Sequence, residues 1–469
     1  MRTEKDSIGT IEIEDDALFG IHSLRAKNNF PLSGELINPH LIKYYLLIKQ
    51  ACLIANYKIN QIDKVIYDSA LLAISELVKL TDNMIKDHNP EIYSHIIVDP
   101  YQGGAGTSLN MNINEVITNL ALAHSGHKPG NYEIIHPIDD VNKNQSTNDT
   151  YPTAFKAAAL VLLSQLEKSF SALQNTLQKK ETEFRSVLKL GRTQLQDAVP
   201  MTLGQEFGAY AQAISRDRWR FYNSQERLRT VNLGGTAIGN SASANNAFLN
   251  AVYPELRAVT NLPLAKAEDL IDGTQNLDVV VEVHAVIKAG AITVQKICND
   301  LRLLSSGPYG GLAEINLPTM QAGSSIMPGK VNPVILENTI QICEMVKGHD
   351  VMISNLISQG NLELQQYMPM IAHLFLKTET LLNECVINLS TKCIEDITAN
   401  ETNCMMHLNK STAISALLIP QFGYDKISSI VKDYDSSKSD FVSHAAKCLD
   451  ISKDEILIIV KSEFGIDSE

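Results

Sequence analysis

Long apolar runs are absent from this chain of 469 residues. The longest purely apolar run covers residues 157–163, which is far too short to cross a bilayer, so no membrane association is expected. A basic excess is absent too, because 40 Lys and Arg residues stand against 53 Asp and Glu residues, a net charge of −13. That balance argues against nucleic acid or an anionic membrane as a partner. A small anionic substrate stays compatible, since a few lining groups set the field of a pocket.

Cysteine pairs of the CxxC type are also missing. The seven cysteines are dispersed through apolar or helical surroundings. An odd, dispersed set is typical of reduced thiols in a cytoplasmic protein, and this location is expected here. The charged N-terminal hexapeptide has no apolar segment behind it, so no secretory signal is expected.

The sequence carries no recognisable cofactor motif. No His, Cys, Asp and Glu group has convincing metal-ligand spacing, and no dinucleotide fingerprint follows a strand. A nucleophile elbow is missing as well. The sequence therefore predicts neither a metal nor an organic cofactor, and leaves cofactor-free chemistry on a small acid.

Strand signals are few, and most of the chain has helical periodicity. Only residues 8–13 alternate as a strand does. Apolar residues at 163, 166, 170, 173 and 177 are spaced 3-4-3-4, which predicts a long helix after Pro152 packed against other helices. Further long helices are expected after Gly204, over 277–304, from Pro333 to about 360, and over 369–389. Long helices joined by short polar loops predict a mainly α protein built on a helical bundle.

Length suggests two to four domains, and composition suggests where they divide. Residues 126–144 form a loop rich in Gly, Pro, His, Asp and Asn ahead of the long helical segment. After Asn400 the helices become shorter. We predict three domains, over residues 1–141, 142–396 and 397–469.

The most informative segment is residues 323–333, Gly-Ser-Ser-Ile-Met-Pro-Gly-Lys-Val-Asn-Pro. Glycines and prolines keep it out of regular structure, so it can bend over a small anion. Ser324 and Ser325 offer hydroxyl donors, and Lys330 offers a full positive charge. A nucleotide-binding loop is disfavoured, because the glycine spacing is wrong and Val331 follows the lysine. A surface turn with a scattered lysine is the plain alternative.

Three other polar clusters precede predicted helices or turns. They cover the glycine-rich residues 103–112, the Gln-Ser-Thr-Asn-Asp run at 145–149, and residues 191–197 before a proline-containing turn and a helix. Each alone is explained by helix capping. Together, converging helix N-termini with short hydroxyls, amides and Lys330 would hold a dicarboxylate.

Such a site favours proton removal next to a carboxylate. The dianionic aci-carboxylate that forms needs donors aimed at its oxygens. Serine is normally too weak an acid to supply the base. Surrounding N–H donors and a lysine could lower the pKa of its hydroxyl. Expulsion of a group from the neighbouring carbon would then give an alkene.

These residues resemble the aspartase/fumarase superfamily over nearly the whole chain. The carrying motifs are residues 323–333, GTSLNMNINE at 106–115, QSTND at 145–149 and GRTQLQDAVPMTLGQEF at 191–207. Residues 20–26, 194–195 and 298–308 are more similar to aspartate ammonia-lyases than to class II fumarases. The resemblance implies a three-domain chain, a homotetramer with a multi-helix core, and active sites that combine loops from several subunits.

The resemblance also implies roles for individual residues. Ser324 would take the C3 proton of L-aspartate, which would leave as fumarate and ammonia, reversibly. Lys330 and Asn332 would hold the α-carboxylate. The residues implied to hold the β-carboxylate are Ser325, Thr107, Ser146 and Thr147. Those implied to surround the departing amino group are Asn148, Thr193 and Gln194.

Several positions depart from the superfamily's usual residues. These are Ile138, the Asn-Ser-Ala-Ser run at 240–243, Tyr309, Gln365 and Asn144. None removes a hydroxyl or the lysine of the core site, but they put substrate preference in doubt. The sequence therefore leaves three alternatives open: fumarate hydration, lyase chemistry on a modified aspartate or succinyl compound, and a helical scaffold without catalysis.

Overall fold

The computed structural model describes residues 1–466, which form sixteen α-helices and eight short β-strands. The helices are α1 (Ile21–Asn29), α2 (Pro39–Lys58), α3 (Lys64–Asp87), α4 (Thr107–His124), α5 (Thr147–Glu183), α6 (Leu203–Leu228), α7 (Asn246–Thr260), α8 (Asp272–Gln275), α9 (Asp278–Leu304), α10 (Val334–Ile357), α11 (Met368–Lys392), α12 (Glu401–Lys410), α13 (Ser415–Phe422), α14 (Tyr424–Lys432), α15 (Phe441–Leu449) and α16 (Lys453–Glu463). The strands are β1 (Arg2–Lys5), β2 (Thr10–Ile13), β3 (Leu188–Thr193), β4 (Gln196–Thr202), β5 (Thr230–Val231), β6 (Ala265–Lys266), β7 (Ile315–Asn316) and β8 (Thr398–Ala399).

The strands pair into four separate two-stranded sheets. Three pairs are antiparallel, β1 with β2, β3 with β4 and β7 with β8, and the pair β5 with β6 is parallel. The predicted strand at 8–13 is confirmed over Thr10–Ile13. Its partner β1 was not predicted, because the sequence Arg-Thr-Glu-Lys carries no apolar alternation. Sheets this small bury little, so helices supply most of the core.

The five predicted long helices are confirmed as α5, α6, α9, α10 and α11. The 3-4-3-4 positions of α5 are completely buried, which explains their spacing: they form the apolar stripe of a packed helix. Helix α5 starts at Thr147, earlier than predicted, and includes Pro152 near its beginning. The helices after Asn400 are shorter, as expected, with 8 to 11 residues each.

The chain divides into two compact units. Unit 1 comprises Met1–Leu166, Arg220–Lys288 and Met345–Leu381. Unit 2 comprises Glu167–Trp219, Ala289–Glu344 and the described residues from Leu382 onward. In unit 1 the rings of Phe155 on α5 and Phe375 on α11 meet edge-to-face at 5.3 Å. In unit 2 the Tyr210 hydroxyl of α6 donates to Asp300 of α9 at 3.0 Å. The domain boundaries near 141 and 397 stay predictions.

All seven cysteines are free thiols, and six of them are buried. Burial raises the pKa of Cys393 and Cys404 to about 12, so both thiols stay protonated. Among residues 1–466, none of the helices combines the length and apolarity that a membrane span needs.

Candidate active site

The glycine-rich loop before α4 is tightly wound. Ala105 and Gly106 both have left-handed backbone, with φ of 55° and 97°. Helix α4 then begins at Thr107, whose hydroxyl donates to the carbonyl of Gly104 at 2.8 Å. Thr107 is exposed at this helix start, where its hydroxyl can rotate to donate to an anionic ligand instead. The loop therefore presents a hydroxyl at the N-terminus of α4, beside the positive end of the helix dipole.

Gly106 permits a close approach that a larger residue would block. A Cβ at this position would lie 2.3 Å from the ring of Tyr151, and its positive φ also strains any L-residue. We expect Gly106→Ala to lower the free energy of unfolding by about 2–4 kcal/mol, from strain and overpacking together. Thermal and urea unfolding would measure the loss.

Gly348 provides the matched control for that substitution. It lies within α10, has no left-handed φ, and a methyl group added there would meet no heavy atom of the described residues within 4 Å. We expect Gly348→Ala to leave stability unchanged or raise it by about 0.5–1 kcal/mol, because alanine is the better helix former. Equal stability changes in the two variants would contradict the strain and overpacking assigned to Gly106.

The first turn of α5 carries Thr147 and Asn148, directly after Ser146. The Ser146 hydroxyl accepts the N–H of Asn148 at 3.2 Å, and the N–H of Ser146 donates to Asp149 Oδ1 at 3.0 Å. The amide of Asn148 donates to the carbonyl of Ala237 at 2.7 Å. These contacts hold short polar side chains at one helix N-terminus, where the helix dipole favours an anion.

Pro152 also shapes this helix start. Proline has no N–H, so the carbonyl of Asn148, four residues earlier, has no helical donor. The side-chain amide of Asn232 replaces that donor and contacts the Asn148 carbonyl at 3.0 Å. The segment that follows Asn232 is thereby attached to the beginning of α5.

Asp149 also binds the segment that follows Asn232, and it does so from within the core of unit 1. It is completely buried, and its Oδ2 accepts the N–H groups of Gly234 at 3.2 Å and Thr236 at 2.9 Å. Burial raises the pKa of Asp149 to about 6, against the lowering effect of these N–H donors. Asp149 is therefore a structural anchor and not a ligand contact.

The starts of α4 and α5 are joined by buried amides. The amide of Asn110 donates to the Thr147 hydroxyl at 3.0 Å and to Asn142 Oδ1 at 3.2 Å. The ammonium of Lys49, which is 1 % exposed, donates to Asn142 Oδ1 at 2.8 Å and Gln145 Oε1 at 3.0 Å. Burial lowers the pKa of Lys49 to about 7. In unit 1 the structure thus brings together four of the predicted site residues, Thr107, Ser146, Thr147 and Asn148.

A pocket of about 640 Å³ lies beside these helix starts. Asn148 and the loop residues Gly103, Gly104 and Ala105 line one part of it. Three aromatic rings, that of Tyr101 among them, and several aliphatic and amide side chains complete the lining. The size fits a small dicarboxylate with room to spare.

The segment 191–197 differs from its prediction. It forms the tip of the β3–β4 hairpin, so Pro200 lies inside β4 and not in a turn, and the predicted helix follows as α6 at Leu203. Thr193 pairs with Gln196, and the intervening Gln194 and Leu195 have φ of 55° and 62°. That is the pattern of a type I′ turn, which sequence reasoning missed because both central residues usually are Asn or Gly. Thr193 and Gln194 are exposed at the hairpin tip.

Residues 323–332 form a closed loop in unit 2. The N–H of Gly323 donates to the Lys330 carbonyl at 2.9 Å, and the Asn332 amide donates to the Gly323 carbonyl at 2.6 Å. A Cβ on Gly323 would lie 2.2 Å from the Lys330 carbonyl oxygen, so only glycine allows the close approach of residues 323 and 330 that closes the loop. Asn332 therefore closes the loop with its side-chain amide.

Ser324 follows Gly323 in this closed loop and is half-buried. Its hydroxyl oxygen accepts the N–H of Ile326 at 3.2 Å and the N–H of Met327 at 3.0 Å. Two main-chain donors on one oxygen stabilise negative charge there more than on a solvated serine. Ser325 and Lys330 are exposed on the same loop, and the Lys330 ammonium makes no ion pair with residues 1–466.

Metal-ligating side chains do not cluster in the part of the chain that the structure describes, where no group of three or more His, Cys, Asp and Glu could hold an ion. Sequence reasoning missed the supporting residues Lys49 and Asn142, because each lies in a segment with an ordinary helix or loop pattern. Asp149 belongs to the predicted 145–149 cluster, but its role as an anchor was not predicted. The recurring asparagines of residues 110–114 were the available signal: buried amides at one helix start need polar partners.

Comparison with known proteins decides the family. A lyase family model matches residues 9–348. The aspartate ammonia-lyase of Helicobacter pylori strain 26695 is 42 % identical over 465 residues, which cover 99 % of this chain and 97 % of the relative. This chain belongs to the aspartase/fumarase superfamily. The resemblance drawn from the motifs is thereby confirmed, and the chain is an enzyme of the carbon–nitrogen lyase class.

Other members of the superfamily give the same result. The aspartate ammonia-lyase of Escherichia coli K12 is 41 % identical over 426 residues, covering 90 % of this chain and 87 % of that protein. A crystal structure of fumarate lyase:delta crystallin from Brucella melitensis bound to cobalt has a TM-score of 0.90 at 39 % identity, covering all of both chains. Class II fumarase from Schistosoma mansoni has a TM-score of 0.87 at 28 % identity, covering 98 % of each chain. The predicted mainly α fold of this superfamily is confirmed.

Proposed function

We propose that this enzyme converts L-aspartate to fumarate and ammonia, reversibly, with Ser324 as the base. The observation that carries the proposal is the Ser324 oxygen, which accepts two main-chain N–H groups on a loop closed by Asn332. The relatives named aspartate ammonia-lyase support the choice of substrate.

The proposed reaction starts with proton removal from C3. The Ser324 alkoxide takes the C3 proton, and the electrons of the broken C–H bond move into the β-carboxylate as an aci-carboxylate. Collapse of that dianion forms the C2–C3 double bond and breaks the C–N bond. The amino group, which is bound in its ammonium form, keeps the C–N electron pair and leaves as ammonia. The serine proton then returns to solvent, which restores the base.

The β-carboxylate gathers the charge and needs the most donors. Ser325, Thr107, Ser146 and Thr147 supply hydroxyls, and the starts of α4 and α5 add the positive ends of their helix dipoles. The contact between Asn110 and Thr147 supports this role, because it holds the two helix starts in register. Preorganised donors of this kind stabilise the transition state without reorganisation.

The other end of the substrate needs charge and small polar groups. The α-carboxylate is bound by Lys330 and Asn332. The Lys330 ammonium is available for this role because it has no ion-pair partner among residues 1–466. Asn148, Thr193 and Gln194 surround the amino group. No metal or organic cofactor takes part in any of these steps.

We further propose the assembly that the superfamily resemblance implies. The enzyme is a cytoplasmic homotetramer with domains over 1–141, 142–396 and 397–469, and each site combines loops of several subunits. Exposed Ile326 and Met327 on the loop of Ser324 support the assembly, since apolar side chains at 83 % and 48 % exposure favour coverage. Size-exclusion chromatography with light scattering gives the oligomeric state.

One assay tests the proposed reaction. Purified enzyme is incubated with fumarate and ammonium, with fumarate alone, and with L-aspartate, while the alkene absorbance is followed. We expect fumarate loss only when ammonium is present, and fumarate formation from L-aspartate. Fumarate loss without ammonium would instead show fumarate hydration, the alternative left open by the sequence. Inactivity in all three mixtures would favour a modified aspartate or succinyl substrate.

A further inference from the structure

A cluster of four charged side chains, two of them buried, lies in unit 2. Glu314 is completely buried and lies 2.7 Å from Arg192 Nη2 and 3.1 Å from Lys189 Nζ. Lys189, whose side chain is 2 % exposed, also contacts Glu206 Oε2 at 2.6 Å. Two cations and two anions therefore balance inside the protein. Removing one partner of such a cluster leaves an uncompensated buried charge, so the cluster resists displacement.

Arg192 connects this cluster to the hairpin tip. It is the residue directly before Thr193 in β3, and its side chain is only 14 % exposed. The two residues that follow Thr193 both have left-handed backbone, which is costly for non-glycine residues. Such a conformation persists only where the surrounding structure holds it. The Arg192–Glu314 ion pair is a buried contact that holds the end of β3 next to this turn.

The main chain of Glu314 is held in place by two hydrogen bonds. Its N–H donates to the Leu304 carbonyl at 2.8 Å, and its carbonyl accepts the N–H of Asn400 at 2.8 Å. Strand β7 follows at once and pairs with β8. Neither carboxylate oxygen of Glu314 has a well-aligned hydrogen bond from the described residues, so its pairing rests on charge. Replacing the charge should therefore release Arg192 while the Glu314 main chain stays in place.

We propose that Glu314 is a positioning residue for the amino-group end of the substrate site. Its buried carboxylate fixes Arg192, and Arg192 fixes the turn that carries Thr193 and Gln194. The inference rests on the proposed deamination, in which these two side chains surround the amino group. Glu314 itself does not touch the substrate.

The test compares two charge-removing variants in the reverse reaction. Glu314→Gln keeps the side-chain shape and removes the charge that pairs with Arg192. We expect its KM for ammonium to rise about 10-fold or more and kcat to fall up to about 10²-fold, because a small misplacement near the reacting atoms is costly. The KM for fumarate should stay within about two-fold of the parent value, since the Glu314 side chain pairs with Arg192 and Lys189 and with none of the residues assigned to the carboxylates.

Glu206→Gln is the matched control. It removes an anion from the same cluster, but among residues 1–466 Glu206 pairs with Lys189 and makes no ion pair with Arg192. A purely structural role of the cluster predicts similar Tm losses and similar KM values in both variants. Positioning by Glu314 predicts that ammonium KM rises in Glu314→Gln alone. Equal ammonium KM values in the two variants would overturn the inference.

Two further outcomes are informative. If Glu314→Gln does not fold, Glu314→Asp keeps the charge with a shorter reach, and we expect a rise of a few-fold in ammonium KM, against no change if the inference is wrong. If the unmodified enzyme fails to consume fumarate with ammonium, the proposed function fails and this inference falls with it. An active parent enzyme whose Glu314 variants have parental kinetics overturns the inference alone.

Discussion

Ser324→Ala is expected to lower kcat for L-aspartate by about 10³-fold or more. The variant removes the oxygen that accepts the N–H groups of Ile326 and Met327. Without it no base is positioned at C3, and general-base contributions are typically worth about 10²–10⁴-fold. Initial rates at saturating L-aspartate measure the loss.

Ser325→Ala is the matched control for this loss. Ser325 is the adjacent hydroxyl of the same loop and is exposed, so the substitution disturbs the fold no more than Ser324→Ala does. We expect it to raise KM and to lower kcat far less, because it removes one donor among several. Circular dichroism and light scattering would show that both variants keep their fold and oligomeric state. A Ser324→Ala enzyme with near-normal kcat would refute the assignment of the base.

Lys330→Ala is expected to raise the KM for L-aspartate and fumarate by about 10- to 100-fold. The substitution removes the one full charge assigned to the α-carboxylate, and a charged hydrogen bond contributes about 1.5–3 kcal/mol. Since the same contact exists in the ground state and the transition state, kcat should change less than KM. Steady-state kinetics at constant ionic strength would separate the two effects.

Two lysine variants control for general charge effects. Lys330→Arg keeps the charge with a different shape, and its KM should lie between those of the parent enzyme and Lys330→Ala. Lys438, 80 % exposed and paired with Asp435 beyond α14, offers a distant charge of the same unit. Lys438→Ala should leave KM unchanged. A similar rise in KM for Lys438→Ala would mean that net charge, and not the α-carboxylate contact, sets affinity.

The fold was predictable where one physical signal dominated. Apolar spacing along α5 predicted a packed helix, and the completely buried Leu163 and Phe170 confirm it. The β3–β4 hairpin was not predictable in the same way. Its turn places Gln194 and Leu195 in left-handed backbone, a conformation that neither residue favours locally. Long-range contacts such as the Arg192–Glu314 pair hold it, and they leave no local sequence pattern.

The site residues likewise fall into those that a local sequence pattern reveals and those that only the structure reveals. Ser324 and Lys330 were identifiable because hydroxyl, ammonium and glycines lie within one short segment. Lys49 was not, because it lies in the apolar helix α2 and reaches Asn142 and Gln145 only through folding. Buried polar groups find partners far along the chain, so such networks are visible only in the structure.

In the proposed mechanism the Ser324 oxygen transfers the C3 proton. Running the reverse reaction with fumarate and ammonium in D₂O tests this directly, with the aspartate product analysed by NMR and mass spectrometry. We predict that the parent enzyme forms L-aspartate with a single deuterium at one stereochemical position of C3, and that Ser324→Ala forms essentially none. Singly deuterated aspartate from Ser324→Ala at close to the parent rate would contradict the claim.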